Sequence, residues 1–280
     1  LAQVRETPLK TFTIGFHEAN RDEAPHAKKI ADYLGTDHHE KYLTPQDVFD
    51  VIPKLVNYYD EPFADSSALP TYLVSEFASQ YVSVALSGDG GDELFGGYTR
   101  YLRVTRAEQI DRLLSSRVRK TLSQPLMMLS IDSLQRIGAG MQYSEPIELF
   151  HYLVAMWKGK DHSKLLGLNY DFSVTHFYNI WQETQNLPLL QRLMLVDQKT
   201  YLPDDGLTKV DRASMAHSLE VRVPLLDQKV VDFALKLHLN YKINGKTQKY
   251  LLKQLLGKYL PPDLYLRPKM GFVVPLNEWL

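Results

Sequence analysis

The stretch YVSVALSGDGGDELFGGYTR, residues 81–100, joins two patterns that are seldom adjacent. Residues 81–86, YVSVAL, are mostly apolar, with two β-branched valines, and read as a buried strand. Five glycines then fall between positions 88 and 97, with Asp89, Asp92 and Glu93 among them. Glycine lets backbone N–H groups approach a ligand closely, which suits a phosphate. Acids beside a phosphate would repel it unless a cation lies between them. Mg²⁺ commonly takes one or two protein carboxylates and completes its shell from phosphate oxygens and water.

The familiar glycine-loop templates fail here. A dinucleotide fingerprint needs a third glycine where Glu93 stands. A P-loop ends in Gly-Lys-Ser/Thr, and this loop has no lysine. An EF-hand spaces its acids at alternate positions, whereas Asp89 and Asp92 are three apart. Two readings stay open on the residues alone. One is a metal–nucleotide loop. The other is a tight turn in which Asp92 caps a helix starting at Glu93, worth about 1 kcal/mol.

Upstream, residues 9–16, LKTFTIGF, read as a strand. Ala27, Ile30, Ala31 and Leu34 fall at helical spacing, with Gly35 as the stop. Residues 37–43, DHHEKYL, read as a shorter, more polar strand. Thr44-Pro45-Gln46-Asp47 offers an N-cap, a proline at N1 and an acid in the first turn of a helix broken near Pro53. Leu69, Leu73 and Phe77 mark another helical face. This alternation predicts an α/β fold, a doubly wound parallel sheet whose ligands bind beyond the carboxyl ends of the strands. The acidic glycine loop lies there, directly after YVSVAL. Residues 1–100 are expected to form the α/β nucleotide-binding part and residues 101–280 a mostly helical part. Helices are expected at 115–140, 189–201, 208–218, 227–239 and 247–259.

The chain has 280 residues and a formal net charge of -1. That balance gives no electrostatic case for a nucleic acid or membrane partner, and no run of about 18 apolar residues suggests a membrane span. With no cysteines, disulfides, thiolate metal sites and a cysteine nucleophile are excluded for these residues. A cytoplasmic location is expected. Both ends read as cut, so a longer parent protein is expected.

Four stretches together resemble the glutamine-hydrolysing asparagine synthetase family. SGDGGDELFGGY at 87–98 is similar to its second nucleotide-site loop. EPFADSSALPTY at 61–72 resembles the loop before its buried helix. LPDDGLTKVDRASMAHSLEVRVPLLD at 202–227 is similar to its longest helical-domain motif, and RPKMGFVVP at 267–275 to its C-terminal lysine loop.

The resemblance implies the synthetase domain of an ATP pyrophosphatase, using ATP and Mg²⁺. ATP adenylates the side-chain carboxylate of aspartate, and ammonia displaces AMP to give asparagine. The ammonia comes from an N-terminal glutaminase domain of the same parent chain. The family's Ser-Gly-Gly-x-Asp-Ser pyrophosphate loop and the strand before it precede the segment that matches 1–16. The 280 residues alone are therefore expected to be inactive. A homodimer is left open as the assembly.

By the same resemblance, the backbone of Ile14 contacts adenine, Ser87 and Gly88 contact the nucleotide, and Asp92 is a Mg²⁺ ligand. Asp89 stands at a position that is often Glu in the family, and handles a proton or orients substrate during amidation. Lys269 stabilises the leaving pyrophosphate, with Arg267 in support. Arg222 is the candidate for the α-carboxylate of aspartate, because a guanidinium fork suits a carboxylate. The plain alternatives are a strand-core Ile14, a solvated Lys269, and an Arg222 paired with Glu220, Asp211 or Asp227. A relative acting on another acceptor, such as a β-lactam synthetase or a peptide-tailoring enzyme, shares the loops. A non-catalytic nucleotide-binding module is the other alternative. His38, His39 and Glu40 read as a solvated strand edge, Tyr58 and Tyr59 as packing, and the basic stretch 112–120 as a solvated helix face.

Overall fold

The computed structural model describes residues 6–18, 20–113, 116–129, 137–138, 140–143, 145–155, 163–165, 167, 171–267, 271–272 and 274–279. The chain forms two compact units. One comprises Leu1–Asp89, Pro203–Asp227 and Leu252–Leu280, the other Gly90–Leu202 and Gln228–Leu251. Among the described residues, no helix is long and apolar enough to cross a membrane.

The first unit is built on two parallel strand pairs. Strand β1, Lys10–Phe16, pairs with β2, Asp37–Leu43, in register from Lys10 against Asp37 to Phe16 against Leu43. The helix Ala24–Leu34 connects them, as a parallel crossover requires. It ends where Gly35 adopts a left-handed φ of 64°, which lets the Thr36 N–H reach back to the Ala31 carbonyl at 3.0 Å. Thr44 and Asp47 form a reciprocal capping box before the helix Pro45–Phe49, and Pro53 stands in the first turn of a separate short helix, Ile52–Leu55. Leu69, Tyr72 and Leu73 of the helix Ala68–Ser79 pack with Ile14, Phe16, Leu43 and Val48 in this unit's core.

The second pair joins β3, Val84–Leu86, to β4, Glu220–Arg222. Two flanking bonds extend it: the Glu220 N–H donates to the Ser83 carbonyl at 2.9 Å, and the Ser87 N–H to the Arg222 carbonyl at 3.0 Å. The expected buried strand over 81–86 is corrected here. The strand is shorter, and Leu86 is 51% exposed. One edge of β3 pairs with β4; along the rest runs a cavity of about 1390 Å³ that leaves its apolar side chains uncovered.

The solvated edge expected at 38–40 is also corrected. His39 stacks on Phe12 at 5.4 Å and meets Tyr81 at 4.4 Å, and His38 Nδ1 lies 2.8 Å from the Thr11 hydroxyl. Tyr59 packs as expected, stacked on Phe63 at 4.6 Å, while its hydroxyl donates to the Lys209 carbonyl.

The second unit is mainly helical. Its helices Thr99–Leu113, Pro146–Val154, His176–Glu183 and Leu189–Lys199 surround Tyr101, Phe150, Trp181, Leu193 and Met194. The helix expected from 247 begins later, at Tyr250. Residues Ile243–Asn244 (β5) and Thr247–Gln248 (β6) form an antiparallel hairpin instead. Gly245-Lys246 forms its two-residue turn, with Gly245 at φ 60° in the first turn position. Much of the expected 115–140 helix is present as Ser116–Met128; its remainder falls largely outside the described residues.

Phe150 is fully buried, stacked on Tyr101 at 5.9 Å and on Phe177 at 5.8 Å. Phe150→Ala should therefore cost about 3–5 kcal/mol in urea unfolding. A loss under about 1 kcal/mol would mean that the ring does not centre this core.

Candidate active site

The acidic loop leaves β3 through Ser87, Gly88 and Asp89, all three of which line the cavity of the first unit. Ser87 Oγ donates to Asp89 Oδ2 at 2.6 Å, a charge-assisted bond that fixes the carboxylate. A Cβ placed on Gly88 would meet no protein atom within 4 Å. Packing therefore does not require glycine there, and its backbone is open to a ligand. Lys209 lines the same cavity. Its ammonium lies 2.6 Å from Asp65 Oδ2, and Asp65 also accepts from the Ser67 N–H and hydroxyl. Burial pushes the Asp65 carboxyl up, but these partners outweigh it and hold the group below the usual carboxylate range. Both residues lie in the family-like stretches 61–72 and 202–227, where no role was assigned to them; Lys209 draws attention by lining the cavity, and Asp65 by pairing with it.

Ile14 is buried in β1 among the core residues and does not line the cavity. Arg222 ends β4, with Nε 2.7 Å from Glu220 Oε1. The ion-pair partner named beforehand is thus present. The guanidinium side chain is nevertheless 65% exposed. Lys269 lies outside the described residues. Arg267 is described and pairs with Glu23 at 2.6 Å.

In the second unit, the short helix Gly91–Phe95 starts from Gly90, whose φ of 78° only glycine adopts freely. Asp92 lies inside this helix and makes no side-chain cap, so the capping alternative is corrected. Its carboxylate sits 3.1 Å from Lys249 Nζ. Among the described residues, no three His, Cys, Asp or Glu side chains cluster as a metal cage. One partly exposed carboxylate therefore fits a Mg²⁺ that takes most of its shell from phosphate and water, and does not fit a cation enclosed by protein.

The chain just after this loop is anchored by a buried polar network. Asp197 has 0% exposure and accepts from Tyr101 at 2.5 Å and from Arg100 at 2.8 Å. Arg100 lies over the Tyr98 ring at 3.6 Å, and Tyr98 donates to Glu93 at 2.6 Å. Gln198 Nε2 reaches the Glu93 carbonyl at 2.9 Å. Burial pushes the Asp197 carboxyl up to about 6, against the pull of Arg100 and Tyr101.

The sequence model described as asparagine synthase matches residues 1–280. The chain belongs to the asparagine synthase family. It is 34% identical over 278 residues to glutamine-hydrolysing asparagine synthetase 1 of Bacillus subtilis, covering 97% of this chain and 43% of that protein. A putative glutamine-hydrolysing asparagine synthetase of Mycobacterium tuberculosis is 32% identical over 286 residues, with 99% and 43% covered. Asparagine synthetase B of Escherichia coli is 24% identical over 270 residues, with 94% and 34% covered. The chain thus spans less than half the length of these curated relatives.

Asp197 offers a test of the anchoring network. Asp197→Asn keeps the shape but replaces the carboxyl to which Arg100 and Tyr101 donate by an amide with N–H donors of its own, and should destabilise the protein by about 1–3 kcal/mol at pH 4. The folded carboxyl titrates above its unfolded value, so its contribution is full below about pH 4 and declines as pH rises through about 6. The stability gap between wild type and Asp197→Asn should accordingly narrow over that window in chemical denaturation. A gap that stays constant or widens would contradict the burial effect.

Proposed function

We propose that this chain is the synthetase part of a glutamine-hydrolysing asparagine synthetase. The observation that carries the proposal is the family match along the full chain, together with Ser87, Gly88 and Asp89 lining a cavity at the carboxyl end of a parallel strand. The reaction couples cleavage of ATP to AMP and pyrophosphate with amidation of the aspartate side chain. Mg·ATP supplies an activated phosphorus and a leaving group.

The roles follow from the chemistry of each group. Ser87 and the open backbone at Gly88 receive the nucleotide phosphates. Asp92 provides a carboxylate to Mg²⁺. Asp89, oriented by Ser87, takes the proton that the attacking ammonia must shed. Arg222 binds the α-carboxylate through its terminal nitrogens, because its bond to Glu220 uses Nε. Lys269 offsets the negative charge on departing pyrophosphate. Ile14 meets the adenine through its backbone.

The doubly wound sheet belongs to the same proposal. Among the described residues, β1 pairs only with β2, and β3 only with β4. The cavity is lined by Thr11 and Phe12 of β1 and by Val84 and Leu86 of β3, and exceeds the roughly 300–1,000 Å³ of ordinary ligand pockets. A further parallel strand between β1 and β3 would satisfy both edges, cover Leu86 and complete a continuous sheet. The glutaminase that supplies ammonia is assigned to the remaining length of the parent protein, in keeping with the relatives' names and the 43% coverage.

In the full-length protein, pyrophosphate release should depend on aspartate and yield asparagine. Asp92→Asn should slow single-turnover AMP formation by about 10²-fold. Release driven by β-alanine-type acids but not by aspartate would overturn the substrate assignment. Unchanged AMP formation in Asp92→Asn would remove that carboxylate from the metal shell.

A further inference from the structure

We propose that Lys249 is the resident counter-ion of Asp92, and that a divalent cation must displace its ammonium to reach the carboxylate. This rests on reading Asp92 as a metal carboxylate. The two side chains are only 22% and 31% exposed, so each charge is partly stripped of water and gains from the other.

The backbone is shaped to make this contact. Lys249 has φ 51°, and the only other described non-glycine residue with positive φ is Ser218. Such a conformation is strained for a residue with a Cβ and persists only where neighbours enforce it. The hairpin β5–β6 delivers the chain to that point. Gln248 Nε2 then pins it by donating to the Gly97 carbonyl at 2.9 Å. The Gly97 N–H in turn donates to the Asp92 carbonyl at 2.8 Å.

Gly97 also makes room for the pair. A Cβ there would lie 1.8 Å from Asp92 Oδ1 and 2.3 Å from Lys249 Cε. Both side chains therefore cross directly over a backbone position that tolerates no side chain. A glycine, a strained lysine and a pinned hairpin converge on one carboxylate, which a chance surface ion pair would not need. Lysine suits the exchange, because its point charge rides on a flexible stem that can swing aside without moving the backbone.

Mn²⁺ binding to the full-length protein carrying a bound non-hydrolysable ATP analogue, followed by loss of the free-Mn²⁺ signal in electron paramagnetic resonance, tests the proposal. Lys249→Met should bind Mn²⁺ roughly twofold to fivefold more tightly than wild type. It should also gain more in melting temperature on adding Mn²⁺, and Lys249→Gln should behave alike. Equal or weaker binding in both folded variants, or no saturable binding in either, would overturn the proposal. Loss of binding in Asp92→Asn keeps the metal reading in place while Lys249 is judged. Unaltered binding in Asp92→Asn would overturn the metal reading, and the proposal with it.

Discussion

A carboxylate with no access to water, Asp197, holds the helical unit to the chain that leaves the acidic loop. It receives Arg100 and Tyr101 from the first turn of one helix and sits near the end of another. The Arg100 guanidinium covers Tyr98, and Tyr98 bonds Glu93, the residue next to Asp92. A buried charge of this kind is stabilising only while its partners stay in place, so any movement of the loop's exit carries a large penalty. Under the proposed function, that stiffness would steady the carboxylate of the neighbouring Asp92. Catalytic groups act through geometry, and geometry is only as firm as what supports it.

The acidic loop itself resolves an electrostatic conflict by dividing labour. Ser87 and Gly88 face a cavity with an accessible backbone, while Asp89 is oriented by the serine hydroxyl. Asp92 is matched to a nearby ammonium, so its charge is compensated without metal. Among the described residues, β1 and β3 each keep one edge without a strand partner, and the exposed Leu86 lies beside the same cavity. A parallel sheet normally buries both faces, and apolar side chains left bare beside a large cavity mark surface that calls for further cover.

Local chemistry was readable wherever a short stretch determines its own conformation. Gly35, the Thr44–Asp47 capping box and the break at Pro53 lie where the residues require them. The strand at 84–86 was visible as apolar sequence, but its exposure was not, because burial depends on what lies alongside. Its partner β4 is over a hundred positions away and carries no strand signal in three residues. The hairpin at 243–248 had a local sign in Gly245, overshadowed by the strong helical pattern that follows. Missing it hid Lys249, which looked like the first turn of a helix. Ser87, Gly88 and Asp89 were singled out from the loop and do line the cavity, while the roles given to them and to Asp92 belong to the proposal. The place of Lys209 at that cavity was not legible, because only the folded chain creates the cavity.

The most direct measurement is a crystal structure of the full-length enzyme with Mn²⁺ and a non-hydrolysable ATP analogue, with the metal located by anomalous scattering. The account predicts a manganese peak at bonding distance from the Asp92 carboxylate, with phosphates along Ser87 and Gly88 and the Lys249 ammonium moved off Asp92. A nucleotide bound elsewhere, with Asp92 still paired to Lys249 and no metal beside it, would contradict it.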